Sequence, residues 1–194
     1  MTESIVYVDY TDESMLPDIQ RLVTKDLSEP YSVFTYRYFL HNSPRFCICA
    51  YSEKDNDPST RVMISTIVCK LEGEGDAMQG YMAMLAVDQD YRKRGIAQKL
   101  VTMVIDRMAE DGCKEVMLET EVLLTALSTP YDIILNLNSS IFMQASNLGA
   151  QALYAKMGFV KEEKMVKYYL NGGDAYRLKL WIDKDIKSVT TASV

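Results

Sequence analysis

The chain has 194 residues, 48% of them apolar and 25% charged, a composition that excludes global disorder, a collagen-like repeat and a disulfide-dense scaffold. Its 27 acidic and 21 basic residues leave a formal charge of −6, which disfavours a generalised nucleic-acid binder, because that role needs a basic field to meet phosphates. A single histidine, His41, removes most metal-ligand clusters, and the four cysteines (Cys47, Cys49, Cys69 and Cys113) include no C-x-x-C pair, so they are expected to be reduced, buried thiols in a cytoplasmic protein.

The first ten residues carry Glu3 and Asp9 and no apolar run, so no signal peptide or membrane span is expected there. Ile5 to Val8 predict a strand. Leu16, Ile19, Leu22 and Val23 recur at helical spacing within Met15 to Asp26, with Pro17 in the first turn. Pro30 ends that helix, since the residue before proline avoids the α region, and Ser32 can cap a second helix to Leu40. Phe46 to Tyr51 predict a strand, and Asp55 to Ser59 a loop. Arg61 to Leu71 and Met78 to Val87 predict two long strands joined at Glu72 to Asp76, the second apolar on both faces and therefore central.

A loop through Asp88 to Tyr91 leads into a helix from Gly95 to Glu110, with Ile96, Leu100, Val104 and Met108 on one face and Gly112 as C-cap. Glu115 to Thr120 predict a strand and Ala150 to Met157 a helix capped by Gly158. Phe159 to Leu170 and Ala175 to Ile182 predict a hairpin around Asn171-Gly172-Gly173, and the tail 183–194 is polar and expected to fray. The fold class is α+β, an α/β three-layer arrangement with a mixed, mostly antiparallel sheet flanked by helices, as one domain over 1–182.

The strongest local signal is Arg92-Lys93-Arg94-Gly95-Ile96-Ala97, which follows an apolar strand and opens an amphipathic helix. Free N–H groups at a helix N-terminus point at bound phosphate oxygens, Gly95 allows close approach, and three cations supply charge. No G-K-[ST] follows, so this is not a Walker loop, and no earlier glycine makes it a dinucleotide fingerprint. The bland alternative is a solvated basic loop before an ordinary helix.

The run Met82 to Ala97 resembles the acetyl-CoA-binding motif of the GNAT superfamily of N-acetyltransferases, and Asn147-x-x-Ala150-x-x-Leu153-Tyr154-x-x-x-Gly158-Phe159 resembles its second motif. Four further stretches are similar to the catalytic subunits of NatC-type N-terminal acetyltransferases: Asp26 to Ser32, Tyr36 to Phe39, Leu118 to Glu121 and Tyr168 to Asn171. The resemblance implies a GNAT fold and acetyl transfer from acetyl-CoA to the α-amine of nascent protein N-termini, in a ternary complex and without a metal. It implies that Arg92, Lys93, Arg94, Gly95, Ile96, Ala97 and Gln98 hold the cofactor pyrophosphate, that backbone groups of Leu85 and Val87 hold the pantetheine and acetyl carbonyl, and that Asn147 also touches the cofactor.

By the same resemblance Glu119 is the general base, acting through water, and Tyr154 the acid that protonates the departing thiolate. An α-amine with a pKa around 8 is mostly protonated at neutral pH, so a base is needed. Leu27, Glu29, Pro30 and Tyr31 would form one wall of a peptide slot, and Tyr81, Tyr168 and Tyr169 the other, suiting Met followed by Leu, Ile or Phe. On residue type alone Glu119 could face solvent and Tyr154 could be a packing aromatic. The resemblance further implies a large scaffold subunit, a small Sm-like subunit and possible ribosome association in the cytoplasm, with no direct contact to nucleic acid or membrane. Two other readings are a GNAT enzyme acting on lysines or small amines, and a non-catalytic CoA-binding assembly module.

The segment Leu123 to Gln144 carries one charge, Asp132. Glu119 and Asn147 stand 28 residues apart, and removing Leu123 to Ala145, 23 residues, restores a family-like Glu-Thr-Glu-Val-Ser-Asn junction. A lineage-specific loop, a partner-binding segment and translated intron sequence are the competing readings of this insertion, and its low charge and lack of a periodic face favour the last.

Overall fold

The computed structural model describes residues 2–27, 30–122 and 140–182, with 140–147 in backbone only. The expected insertion at 123–145 therefore lies largely outside the described residues, as does the tail from 183.

Seven strands form one sheet in the order β1-β2-β3-β4-β5-β7-β6. They are β1 (Glu3–Asp9), β2 (Cys47–Lys54), β3 (Asp57–Glu72), β4 (Gln79–Val87), β5 (Glu115–Glu121), β6 (Val160–Met165) and β7 (Ala175–Trp181). All neighbours are antiparallel except β4 and β5, which run parallel through the crossover helix between them. Helices α1 (Leu16–Asp26) and α2 (Val33–Asn42) cover one face, and α3 (Ile96–Glu110) and α4 (Ser140–Lys156) the other.

The apolar stripe of α1 (Leu16, Ile19, Leu22 and Val23) is buried with Tyr36, Leu40, Cys49, Met63 and Met84. On the opposite face Ile96, Leu100, Val104 and Met108 are buried with Ile48, Ile67, Met82, Val116 and Leu118. Each such side chain contributes about 1.5–3 kcal/mol when removed from water. Helix α3 sits this low on the sheet because β4 carries Gly80: a Cβ there would lie 2.5 Å from Met108 Sδ. All four cysteines are buried free thiols.

Several boundaries differ from expectation. Strand β3 begins at Asp57, not Arg61, because Asp55 and Asn56 alone make the turn, both at positive φ. Strand β6 stops at Met165 rather than Leu170, and residues 166–174 form the turn region that faces the site below. Strand β4 is central and covered on both faces, as expected: Gly80 and Met82 pack toward α3, and beyond the irregularity at Ala83 the residues Met84 and Ala86 pack toward α1 and α2. Helix α4 starts ten residues before the expected Ala150. Its early apolar residues show no single helical face in the sequence, so periodicity could not announce it.

Candidate active site

Strands β4 and β5 are joined only at their beginnings, where Gln79, Gly80 and Tyr81 face Glu115, Val116 and Met117. Beyond Tyr81 the two strands carry no pairing, so the sheet opens into a V toward their C-terminal ends. An open parallel sheet presents ligands with this end of its strands. The Asp88 N–H donates to Ile64 O on β3 at 2.8 Å. In an antiparallel ladder that alternation turns the N–H groups of Leu85 and Val87 away from β3 and into the V. Val68 and Cys69 of β3 face Met84 and Met82, so Ala83 is the extra residue of a bulge in β4, which bends that strand at the edge of the opening.

At the mouth of the V stands the N-terminus of α3. Gly95 is its N-cap at φ +78° with no side-chain cap, so the first-turn N–H groups lack intrahelical acceptors. A Cβ at Gly95 would meet nothing within 4 Å, so glycine is needed there for its dihedral angle and not for space.

The three cations of this loop divide by environment. Arg92 turns inward: its Nη2 meets Asp26 Oδ1 at 2.6 Å and its Nε donates to Val87 O at 3.1 Å. Arg94 reaches Glu3 at 3.1 Å and lies over the Tyr91 ring. Lys93, at φ +61° and exposed, makes no ion pair among the described residues. Gln98 accepts from Lys156 of α4 at 3.4 Å, which brings a further cation to the same rim. Val87 is also committed on its other side, its N–H donating to Asp26 Oδ2 at 3.2 Å. Leu85 has no strand partner on the V side.

Glu119 lies at the open end of β5 with its side chain 7% exposed. Its Oε1 accepts from Arg177 Nε at 3.1 Å, and its Oε2 is buried with no hydrogen-bond partner among the described residues. Burial and the nearby Glu119 carboxylate push the Tyr81 phenol well above the ordinary tyrosine range. Tyr169 is raised in the same way by burial and by Glu121. Tyr31 and Tyr168 act electrostatically on both phenols, so the α1–α2 connection and the turn region 166–174 converge on the end of the V. Tyr168 and Tyr169 meet edge to face at 5.1 Å, and the turn is closed by Tyr169 N–H to Gly173 O at 3.0 Å. Leu27 and Tyr31 are half-buried and Pro30 is exposed, whereas Glu29 falls outside the described residues.

Tyr154 sits on α4, buried against Phe159 with rings 5.5 Å apart, in the core shared with Cys69, Met82 and Leu118. Burial pushes its phenol well up, so the group carries its proton at neutral pH. The backbone of Asn147 belongs to α4. Gln151 on that helix donates to Glu121 O at 2.9 Å and ties α4 to the end of β5.

Sequence reasoning missed four contributors. Asp26 lies within a quoted motif but received no role, although it clamps the end of β4. Arg177 is placed opposite Glu119 by the register of β5 and β7, which no local sequence signal announces. Phe39 and Lys70 stand behind Tyr81, the ring of Phe39 stacked on it at 6.3 Å and the Lys70 ammonium 5.4 Å from its centre. Among the described residues no cluster of metal-ligating side chains is present, and no helix is long and apolar enough to cross a membrane.

The model of the Acetyltransferase (GNAT) family matches residues 16–127. The chain is 43% identical over 180 residues to human N-alpha-acetyltransferase 30, covering 92% of this chain and 41% of that protein. It is 39% identical to the N-alpha-acetyltransferase 30 of Saccharomyces cerevisiae, covering 91% of this chain and 88% of that one. The chain thus spans less than half the length of the human relative and most of the yeast one. Among solved structures, a chain in the NatC complex bound to a Gag peptide and CoA superposes with a TM-score of 0.74 at 38% identity, over 92% of this chain and 99% of that one.

Proposed function

The chain belongs to the acetyltransferase (GNAT) family, and from that premise we propose that it is an N-alpha-acetyltransferase that moves acetyl from acetyl-CoA to the free α-amine of protein N-termini. The observation that carries the reading is the V between β4 and β5, which has the α3 N-terminus at its mouth and Glu119 with four tyrosines at its end.

The pyrophosphate of acetyl-CoA is read by the N–H groups of Gly95, Ile96, Ala97 and Gln98 with Lys93, and Asn147 adds a contact from α4. Arg92 and Arg94 serve by shaping this loop, given their pairing with Asp26 and Glu3. The pantetheine runs along β4, and the Leu85 N–H faces the position of the acetyl oxygen. Val87 contributes once its N–H leaves Asp26.

Chemistry follows from residue type. Glu119 Oε2, buried and unpartnered, takes a proton from the α-ammonium through one water. The freed nitrogen lone pair attacks the thioester carbon, and a backbone N–H steadies the oxyanion. The C–S bond then breaks, the electron pair leaves on sulfur, the thiolate takes the Tyr154 phenolic proton, the second proton of the attacking nitrogen passes through water to the Tyr154 phenolate, and Glu119 returns its proton to solvent. The products are the acetylated amine and CoA.

Leu27, Pro30 and Tyr31 on one side and Tyr81, Tyr168 and Tyr169 on the other form an aromatic slot for Met followed by Leu, Ile or Phe, and the family resemblance assigns Glu29 a role in the same substrate site. The likeness to a chain of the NatC complex supports a place beside other subunits; the motif resemblance implies that these are a large scaffold subunit and a small Sm-like subunit, with action on nascent chains in the cytoplasm.

The test is intact-mass analysis of two peptides starting Met-Leu, one with a free α-amine and one with a blocked α-amine and a free internal lysine. The full chain is assayed alone and with the two partner subunits. Acetylation confined to the free α-amine is expected; transfer to the internal lysine overturns the α-amine assignment, and binding of acetyl-CoA with no turnover in any assembly overturns the enzymatic one.

A further inference from the structure

Strand β7 carries two cations on the same face, Arg177 and Lys179, and each bridges a carboxylate on β5 to one on β6. Lys179 stands between Glu115 at 3.3 Å and Glu162 at 2.6 Å. Arg177 stands between Glu119 at 3.1 Å and Glu163 at 3.3 Å. The Arg177 rung follows from register, since Glu119 and Glu163 are its direct cross-strand partners, whereas Lys179 stands opposite Met117 and Val160 and reaches its two glutamates diagonally.

The two rungs differ in how the β5 carboxylate is finished. Glu115 is fully engaged, with one oxygen on Lys179 and the other accepting from the Gln79 side-chain amide. Glu119 is engaged on one oxygen only. Its Oε2 is buried and unpartnered, at the open end of the V. A buried polar atom without a partner costs roughly 1–3 kcal/mol, so a fold keeps one only where something else supplies the missing hydrogen bond.

Resting on the reading of Glu119 as base, we propose that Arg177 is a positioning residue for the transfer step: it holds Oε1 from the sheet side and thereby aims Oε2 into the cleft. Guanidinium suits this because Nε binds Glu119 while Nη1 reaches Glu163, so the fork is fixed at both ends. The groups facing Glu119 are Arg177 from β7, Tyr81 from β4, and Tyr168 and Tyr169 from the turn region, with Glu163 of β6 behind Arg177. Arg177 is thus the cation among these groups. Lys179, two residues further along, holds a carboxylate that has no vacant oxygen and serves the sheet alone.

The experiment compares Arg177→Gln, Arg177→Lys, Lys179→Gln, Glu119→Gln and the double variant Glu119→Gln with Arg177→Gln, in the full chain and in whichever assembly the wild type is active. Partners that orient metal-binding carboxylates and imidazoles are typically worth about 10–100-fold, and the same scale is taken for a partner that orients a base. Arg177→Gln is therefore expected to lower kcat by about that factor, with KM for peptide within about two-fold and acetyl-CoA binding by calorimetry unchanged. Arg177→Lys recovers part of the loss. In the Glu119→Gln background, removal of Arg177 costs nothing further, because there is no carboxylate left to aim. Lys179→Gln lowers the melting temperature and leaves kcat within about two-fold.

A kcat loss in Arg177→Gln no larger than in Lys179→Gln, or a loss that multiplies with that of Glu119→Gln, overturns the proposal. The double variant removes both charges at once, so it folds even if an unpaired Glu119 destabilises the single variant. All ratios are taken on the amine the wild type accepts. A wrong substrate class therefore appears in the wild-type protein, while the Arg177 ratio stays readable.

Discussion

Asp26 and Arg92 lie 66 residues apart and close a 2.6 Å ion pair across the end of β4, where each also binds one backbone polar group of Val87. Asp26 accepts the Val87 N–H and Arg92 donates to its C=O, so the last residue of the strand is held from both polar groups. The basic residue that looks from sequence like a phosphate ligand is thus spent on joining α1 to β4.

Removing that clamp has a stability cost as well as a functional one. The Asp26 side chain is 12% exposed, and Arg92→Gln leaves it with the Val87 N–H as its one remaining described donor. Hydrogen bonds to charged groups contribute about 1.5–3 kcal/mol. At about 2–4 °C per kcal/mol for a chain of this size, the melting temperature falls by roughly 3–12 °C. Differential scanning calorimetry at neutral pH checks this, with Lys93→Gln as a control expected to stay within about 1 °C. A melting temperature unmoved by Arg92→Gln shows the clamp to be idle.

Lys93 should behave oppositely to Arg92, whereas Gly95 has a strain cost of its own. Lys93 is exposed and makes no ion pair among the described residues, so its loss leaves folding intact and weakens binding of the CoA phosphates. A single solvent-exposed charge contact is worth on the order of 1 kcal/mol, about five-fold in affinity, and the difference shrinks as salt rises. Gly95→Ala adds the strain of a non-glycine residue at φ +78°, roughly 1–2 kcal/mol, with no steric clash to compound it. Calorimetric titration with CoA at low and high salt separates the two. Equal affinities for wild type and Lys93→Gln at low salt would falsify the assignment of Lys93 to the cradle.

Much of the fold was legible because its signals are local. The stripe Ile96, Leu100, Val104 and Met108 on α3, and Leu16, Ile19, Leu22 and Val23 on α1, announce their buried faces by spacing alone. The cradle was legible for the same reason: a glycine between a basic loop and an amphipathic stretch marks a helix start. What stayed hidden depends on pairing across the sheet. Nothing in the sequence of β7 says that Arg177 faces Glu119 and not solvent, because that is decided by a register set through β5. Nor can spacing show that Asp26 reaches Val87, or that Gly80 yields to Met108. The start of α4 at Ser140 was missed because its apolar residues do not gather on one helical face.

The alkaline behaviour of the chain follows from its buried phenols and thiols. Burial pushes Tyr51 up to about 12, Cys47 to about 12 and Cys49 to about 11, and raises Tyr81, Tyr154, Tyr169 and Cys69 as well. Unfolded cysteine and tyrosine titrate near 9.0 and 10.0. Below pH 9 both states keep these protons and the native state has its full stability. Above it the unfolded chain releases protons that the native chain still holds, so ∂ΔG/∂pH is negative and stability declines from about pH 9 upward toward 12. Urea midpoints at pH 8 and pH 11 should therefore fall markedly. The native chain should also ionise only part of its 13 tyrosines near pH 10, the remainder appearing at 295 nm together with loss of circular dichroism. If every tyrosine ionises reversibly near pH 10 while the circular dichroism stays unchanged, the phenols of the V are not held by burial, and the dry, aromatic character assigned to the peptide slot goes with them.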